Sequence, residues 1–281
     1  MELHDVGLAS DLEVMERQAL ERRRLMRWVL AGAAGLPLIG CGGSGSGSTA
    51  TETATGTATT PATIATACAV IPDETGGPYP ADGSNTNGGS IINVLNQSGV
   101  VRRDIRASFN GATGVAAGVP LTIRLQLVNA NASCASLAGY AIYLWHCDRD
   151  GLYSLYSNGV TAQNYLRGVQ ETDSTGSLSF TTIFPGSYAG RMPHVHFEVY
   201  PSLARAAAAS NRIKTSQFTF PLATLNEVYT ASGYTASVRN LAQISYATDN
   251  VFSDGTSLQM AGVTGNATDG YVVTLTIGVN G

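Results

Sequence analysis

Two histidines stand two residues apart in the segment His194-Val195-His196. A β-strand places residues i and i+2 on the same face, about 7 Å apart along the backbone, so both imidazoles would reach one metal ion. The alternative is a polar outer strand face whose histidines bind nothing. Tyr188 and Arg191 lie in the turn that leads into this segment, and Tyr153 follows the end of another apolar run. These neighbours favour the metal site.

Two tyrosines and two histidines would form a donor set of two oxygens and two nitrogens. A phenol has a free pKa of about 10 and loses its proton near neutral pH only beside a strong Lewis acid. Ferric iron meets this condition, whereas zinc and magnesium rarely bind in this way. Because the chain has 12 tyrosines, each of them taken singly is more simply an ordinary strand or turn aromatic. The combination of the four residues is what indicates iron.

Short strands must carry these residues. Segments rich in Val, Ile, Thr, Tyr and Phe alternate with turn clusters of Asn, Asp, Gly, Pro and Ser, which is typical of an all-β chain. The pattern predicts strands over 119–128, 139–145, 177–184, 194–200, 215–220 and 271–279. Short helices are expected over 202–209, 222–227 and 238–242. The predicted fold class is an all-β sandwich of mostly antiparallel strands with a few short helices.

Residues 1–41 have the layout of an export signal. Their apolar run over 28–39 is too short to cross a hydrocarbon core of ~30 Å. Arg22-Arg23 resembles a twin-arginine signal, and Leu38-Ile39-Gly40-Cys41 resembles the lipobox of bacterial lipoproteins. We expect export to the outer side of the cytoplasmic membrane or the cell surface, with a lipid on Cys41 as the only membrane attachment. An amphipathic N-terminal helix with an unmodified cysteine is the alternative.

Residues 42–67 form a predicted linker between the signal and one folded domain over 68–281. Gly, Ser, Thr and Ala dominate the linker, and no large apolar side chain precedes Ile64, so burial would not offset chain entropy.

The whole chain of 281 residues has a formal net charge of −4, and Lys214 is its only lysine. A basic stripe for a phosphate backbone is therefore missing, and nucleic acid is not an expected partner.

Cysteine usage agrees with an oxidising compartment. Cys134 lies in the turn before the strand that ends at Cys147. We therefore predict a disulfide between Cys134 and Cys147, with Cys68 left unpaired. Three buried thiols are the alternative. His146 alternates to the opposite face from Cys147, and we expect it to have a structural role.

Four stretches together carry a family signature. They are the segment ending in Gly76-Gly77-Pro78-Tyr79-Pro80, and the stretches 101–105, 145–154 and 166–197. The most specific part is a tyrosine followed after five residues by His-x-His, with an arginine between them. In these stretches the chain resembles the intradiol ring-cleavage dioxygenases, the family of catechol 1,2-dioxygenase and protocatechuate 3,4-dioxygenase, and most closely their exported branch.

The resemblance implies Fe(3+) as the cofactor, with Tyr153, Tyr188, His194 and His196 as its ligands. Tyr188 and His196 would be the axial pair, and Tyr153, His194 and a hydroxide would be equatorial. Three further residues take roles by position. Arg191 would stabilise negative charge on the bound ring, Gln217 would lie on the substrate side, and Tyr79 would line the pocket mouth.

The implied reaction opens a catechol ring between its two hydroxyl-bearing carbons with O2 and gives a muconate-type dicarboxylic acid. Tyr188 would leave the metal as a base and accept a substrate proton. The partners are therefore a small aromatic diol and O2. Ring specificity is left open, because the segment after Tyr188 lacks the Trp of many cytoplasmic members. The oligomeric state is left open as well, because their N-terminal helical segment has no counterpart here.

Two other functions remain to be weighed. The first is an inactive exported β-sandwich that binds carbohydrates or aromatic compounds without turnover, which the presence of all four ligand types disfavours. The second is a cupin-like metalloenzyme that uses Glu198 as its carboxylate ligand. A cupin needs a further histidine downstream, and no histidine follows His196.

Overall fold

The computed structural model of the protein describes residues 68–281. The predicted export signal, the linker over 42–67 and the lipidation site Cys41 all lie outside these residues. Between residues 68 and 281, no helix is long and apolar enough to cross a membrane.

Two β-sheets form the body of the fold, preceded by a small hairpin. The hairpin pairs β1 with β2. The first main sheet has β11 and β7 on either side of β3, with β10 at its edge and the short β4 at the end of β3. The second has the antiparallel order β6-β5-β8-β9. The strands are β1 Asp82–Asn87, β2 Ser90–Asn93, β3 Pro120–Asn129, β4 Ala135–Ser136, β5 Ala141–Trp145, β6 Arg167–Glu171, β7 Ser177–Ile183, β8 His194–Tyr200, β9 Lys214–Thr219, β10 Gly262–Asn266 and β11 Gly270–Val279.

The all-β sandwich is confirmed, since one continuous apolar core lies between the two main sheets. It takes Ile123 and Leu125 from β3, Phe180 from β7, and Val195 and Phe197 from β8, all of them buried. Alternating apolar residues of β3 point into this core while Arg124 and Gln126 point out. All six predicted strands are present, with bounds that shift by at most two residues.

Among residues 68–281, the helices are short and lie outside the sheets. Two α-helices occur there, α1 Leu222–Val228 and α2 Thr235–Leu241, and 3-10 turns cover Leu203–Ala207 and Phe252–Asp254. The segment predicted as a helix over 202–209 is thus 3-10 rather than α. Leu225, Val228 and Leu241 pack the two α-helices against the main core.

Five strands were not predicted. The hairpin β1–β2 is polar along Asp82–Asn87 and pairs only with itself, so it has no alternation of apolar residues to reveal it. The strands β4, β6 and β10 are two to five residues long. Their pairing partners decide their conformation more than their own composition does.

The predicted disulfide between Cys134 and Cys147 is wrong. Cys134 bonds to Cys68, with the two Cα atoms 5.2 Å apart, and Cys147 is a free, buried thiol. Cys147 lies just after β5, and its Sγ donates to the carbonyl of Gly186. Cys134 instead meets the start of the described chain, where Val70 bridges to Gly278 of β11.

The Cys68–Cys134 bond is expected to fasten the first described residues to the sandwich. It closes a loop of 66 residues, which corresponds to about 4 kcal/mol of stability in the chain-entropy model. Mass spectrometry of an unreduced digest should find the peptides of Cys68 and Cys134 linked. Replacing both cysteines by serine should lower the free energy of unfolding by an amount of this order. A linked Cys134–Cys147 peptide would refute the pairing.

Candidate metal centre

The strand β8 is buried on both of its faces. It lies between β5 and β9, with Trp145 and Gln217 directly beside His196 on the two neighbouring strands. Val195, Phe197 and Val199 enter the main core. The opposite face carries His194 and His196, which are only 2% and 3% exposed. The interpretation of this face as a polar outer surface is therefore wrong.

Three donor atoms surround the Nε2 atom of His194, which is the fourth donor of the set. His196 Nε2 lies 3.0 Å from it, Tyr188 Oη 3.3 Å and Tyr153 Oη 3.5 Å. Tyr153 comes from the loop after β5 and Tyr188 from the loop after β7, so three separate segments meet at this point. The structure brings together the four residues that the sequence predicts as metal ligands.

Neighbouring groups fix the orientation of both imidazoles. The Nδ1–H of His194 donates to the Met192 carbonyl at 2.6 Å, because a carbonyl only accepts. This sets the tautomer and leaves the Nε2 lone pair facing the other donors. The ring of His196 stacks on Trp145 with an interplanar angle of 2°. Gly77 packs on its other edge with a φ of +67°, where a Cβ atom would lie 3.4 Å from the ring.

The loop that presents Tyr153 is held by buried hydrogen bonds. Asp148 accepts from the backbone N–H groups of Asp150 and Leu152, which closes the turn before Tyr153. Arg167 is fully buried, and its guanidinium donates to the Ser154 side chain and carbonyl and to the Tyr79 carbonyl. One side chain thus connects the Tyr153 loop to the Gly-Pro-Tyr segment.

The loop that presents Tyr188 is held by α2. Ser187 donates its backbone N–H to the Ser237 hydroxyl, and the Asn240 amide donates to the Ser187 carbonyl. Gly151 of the Tyr153 loop packs directly on Tyr188, with a φ of +83° and room for no larger side chain without displacement. The two tyrosine loops are therefore fixed against each other.

Arg191 lies beside the four donors and is itself buried. Its Nε–H donates to Asp249 Oδ2 at 3.0 Å, and its Nη2 donates to Gln217 Oε1 at 2.7 Å. Burial by itself would lower the Arg191 pKa, but Tyr188 and Asp249 outweigh this and leave the pKa above its usual value. The guanidinium is therefore a permanent positive charge next to the phenols.

Burial also sets the protonation of the donors. It lowers the pKa of His194 and His196 far below the usual histidine value, and the Arg191 cation lowers both further. Both imidazoles are thus neutral, the form that binds metals. Burial raises the pKa of Tyr153 well above 10, and Tyr188 adds to this effect. Two neutral imidazoles and two phenols that ionise only beside a strong Lewis acid suit ferric iron.

The remaining predicted residues lie at different distances from this centre. Gln217 is buried and bonds Arg191 and the Thr75 carbonyl. Tyr79 is partly buried, with its ring 4.9 Å from that of Tyr153. Glu198 accepts from the Tyr200 hydroxyl at 2.6 Å, and its Oε1 atom lies 3.8 Å from Arg212 Nε.

Within residues 68–281, no group of three His, Cys, Asp or Glu side chains is placed to hold a metal, so a site around His194 and His196 needs the tyrosines as ligands.

Two functional candidates were missed by sequence reasoning. Arg167 lies in the stretch 166–197 that carries the family resemblance, where no pattern marks its role, and Asp249 lies outside all four stretches. No predicted strand covers Arg167, so the sequence carries no signal for its burial. Asp249 lies 58 residues after Arg191, and no local pattern marks their contact.

The chain is similar to known dioxygenases in sequence and in fold. Residues 98–200 match the family model described as Dioxygenase. The solved intradiol ring-cleavage dioxygenase from Tetranychus urticae is 23% identical over 76% of this chain and 95% of its own, with a TM-score of 0.57. A second solved dioxygenase has the same identity and coverage and a TM-score of 0.56. A dioxygenase domain from Streptomyces sp. SirexAA-E, 23% identical over 75% of this chain and 99% of its own, has a TM-score of 0.47.

The predicted resemblance to the intradiol ring-cleavage dioxygenases is confirmed. The part matched by the dioxygenase family model contains Arg191 and the four converging donors, and it ends at Tyr200. Gln217 and Asp249 lie beyond it. No curated protein is similar to the chain at a significant level.

His146, expected to be structural, should make the stability of this dioxygenase fold depend on pH. It is buried, with Nδ1–H donating to the Cys147 carbonyl and Nε2 bonded to Thr182 Oγ1. Burial lowers its pKa from 6.5 to about 4. The unfolded chain therefore binds a proton that the folded one does not, and stability falls as the pH drops from 6.5 to about 4.

The size of this loss would be about 3 kcal/mol for His146 alone. Urea unfolding of the wild type and of His146→Gln across this pH range isolates the contribution, because His194 and His196 are common to both proteins. The variant should show the shallower dependence. Equal slopes for the two proteins would show that His146 does not titrate in this way.

Proposed function

We propose that the protein is a ferric-iron dioxygenase that cleaves catechol-type rings between the two hydroxyl-bearing carbons with O2. The product would be a muconate-type dicarboxylic acid that carries both oxygen atoms. The convergence of Tyr153, Tyr188 and His196 on His194 Nε2, within 3.5 Å, is the observation that carries this proposal. The family-model match over these residues supports it.

Tyr153, Tyr188, His194 and His196 would hold the iron. Ferric iron bound there would supply the Lewis acidity that makes a chelated catecholate ring reactive towards O2. The protein would contribute neutral imidazoles, phenolate charge and a buried setting in which these interactions are stronger than in water. The stacking of His196 on Trp145 supports a rigid placement of its nitrogen.

The two tyrosines would have different roles. Tyr153 is 1% exposed and its backbone N–H is bonded to Ser157, which suits a permanent ligand. Tyr188 is only partly buried and lies within the loop between β7 and β8, which suits a side chain that moves away and accepts a substrate proton. Arg191, fixed by Asp249 and Gln217, would face the negative charge that develops on the ring.

An inactive binding module is the other function to be tested. It would keep the sandwich and bind aromatic diols without turnover. Retention of Arg191 beside all four donors favours the enzyme, because a binder has no need of a desolvated cation that stabilises a developing charge. The contacts of Glu198 with Tyr200 and Arg212 disfavour the cupin-like alternative.

We further propose that the protein is exported. The Cys68–Cys134 disulfide supports an oxidising compartment, where such bonds persist. Export after folding through a twin-arginine route would allow the iron to be loaded first. A lipid on Cys41 would then hold the domain at the membrane surface.

The activity can be tested by adding catechol to the iron-loaded protein under 18O2. We expect O2 uptake equal to catechol loss, and a muconate-type product with two labelled oxygen atoms. Substrate binding without O2 uptake would favour the binding module. A panel of catechols with neutral, halogen and carboxylate substituents would then define the ring specificity.

Tyr188→Phe should lower turnover by about 100-fold or more while iron binding is largely retained, because the variant removes a proton acceptor but leaves three protein ligands. Iron content and steady-state kinetics measure the two effects separately. Tyr140→Phe is the matched control, since Tyr140 packs against the apolar core away from the four donors. Unchanged turnover in Tyr188→Phe would disprove the role of Tyr188 as a base.

A further inference from the structure

The residue of interest is Asp249, which lies in the loop between α2 and the 3-10 turn Phe252–Asp254. We infer that Asp249 is a positioning residue that sets both the orientation of Arg191 and the turn leading to His194; its effect on turnover rests on the proposed function. Asp249 lies outside the part matched by the family model. Its contacts, charge and burial lead to this role independently of that match.

The carboxylate of Asp249 is buried, and both of its oxygens accept hydrogen bonds within the protein. Its side chain is 0% exposed. The Oδ2 atom accepts from Arg191 Nε at 3.0 Å and from the Met192 backbone N–H at 2.7 Å. The Oδ1 atom accepts from the backbone N–H groups of Val251 and Phe252. Oδ1 therefore binds the backbone of its own loop, and Oδ2 binds Arg191 and Met192 beside the four donors.

Charge balance explains why a carboxylate stands at this place. The Arg191 side chain is 6% exposed, and a buried cation without a counter-charge costs several kcal/mol. Asp249 is the only acidic side chain in the described part of the chain that forms an ion pair with Arg191. With Nε held by Asp249 and Nη2 held by Gln217, the plane of the guanidinium is fixed at two points.

The second contact of Asp249 leads to the imidazole of His194. Asp249 Oδ2 holds the N–H of Met192, and the carbonyl of the same residue accepts from His194 Nδ1 at 2.6 Å. The backbone of Met192 is thus bonded through its N–H to Asp249 and through its carbonyl to the imidazole of His194. Such outer contacts orient a metal-binding histidine and tune its basicity.

Asp249→Asn is the variant that separates positioning from bulk packing. Asparagine has the same shape, and its oxygen can still accept from Val251 and Phe252. Its amide group would then face Arg191 Nε and the Met192 N–H, which are both donors, so the ion pair and the hydrogen bond to Met192 are lost together. Asp254→Asn removes the same charge from an exposed position in the neighbouring turn and serves as the control.

The kinetic test compares the wild type, Asp249→Asn, Arg191→Gln and the double variant, each loaded with iron. We expect Asp249→Asn to lower kcat/KM for catechol by about 10- to 100-fold, the usual effect of an outer-contact residue. In the Arg191→Gln background the same change should lower it by only about threefold, because the contribution through Arg191 is gone and only the one through Met192 and His194 remains. Equal effects in both backgrounds, or wild-type kcat/KM in Asp249→Asn, would overturn the inference.

A second readout uses the metal-free protein and needs no activity. In 15N-labelled protein, the Arg191 Nε–H and the His194 Nδ1–H should exchange slowly with water, and Asp249→Asn should speed the exchange of both. Asp254→Asn should leave both signals unchanged. If the wild type fails to cleave catechol, the proposed function fails while this exchange test still decides the role of Asp249. Unchanged protection in Asp249→Asn would overturn the inference.

If Asp249→Asn does not accumulate as folded protein, Asp249→Glu takes its place. The extra methylene keeps the negative charge but moves the carboxylate out of its present hydrogen bonds. The same comparison with Arg191→Gln and the same exchange measurement then apply. Equal losses of kcat/KM in the wild-type and Arg191→Gln backgrounds would again overturn the inference.

Discussion

The burial of both faces of β8 is the constraint on which the rest of the structure depends. An inner strand of one sheet of a sandwich needs only one apolar face, and Val195, Phe197 and Val199 supply it. The other face carries His194 and His196 into a second buried region, where polar atoms must find partners or lower the stability. The loops after β5 and β7, and the loop after α2, supply those partners.

This second buried region contains both charged and neutral polar side chains. The Arg191 cation is paired with Asp249, and Arg167 donates to carbonyls and hydroxyls of the Tyr153 loop. The two imidazoles and the Tyr153 phenol are neutral because burial moves each pKa away from the charged form. Under the proposed function, a ferric ion held by these four side chains would draw the protons from the phenols.

The sequence predicts features that depend on neighbouring residues, such as strands and their faces, but not contacts between residues far apart in the chain. The alternation in 119–128 and 194–200 defined two strands and the face shared by His194 and His196, and the structure has both strands. The partner of Cys134 was predicted wrongly, because the spacing between Cys134 and Cys147 says nothing about where residue 68 lies. Asp249 escaped for the same reason, since a contact across 58 residues depends on the folded chain.

The central claim is that two tyrosines and two histidines of this chain hold ferric iron. Titration of the metal-free protein with Fe(III), followed by visible absorption, tests it most directly. Tyrosinate ligands predict an intense reddish-brown charge-transfer band that saturates at one iron per chain and is lost when Tyr153 and Tyr188 are both replaced by Phe. A protein that binds iron at this ratio and stays colourless would contradict the ligand set.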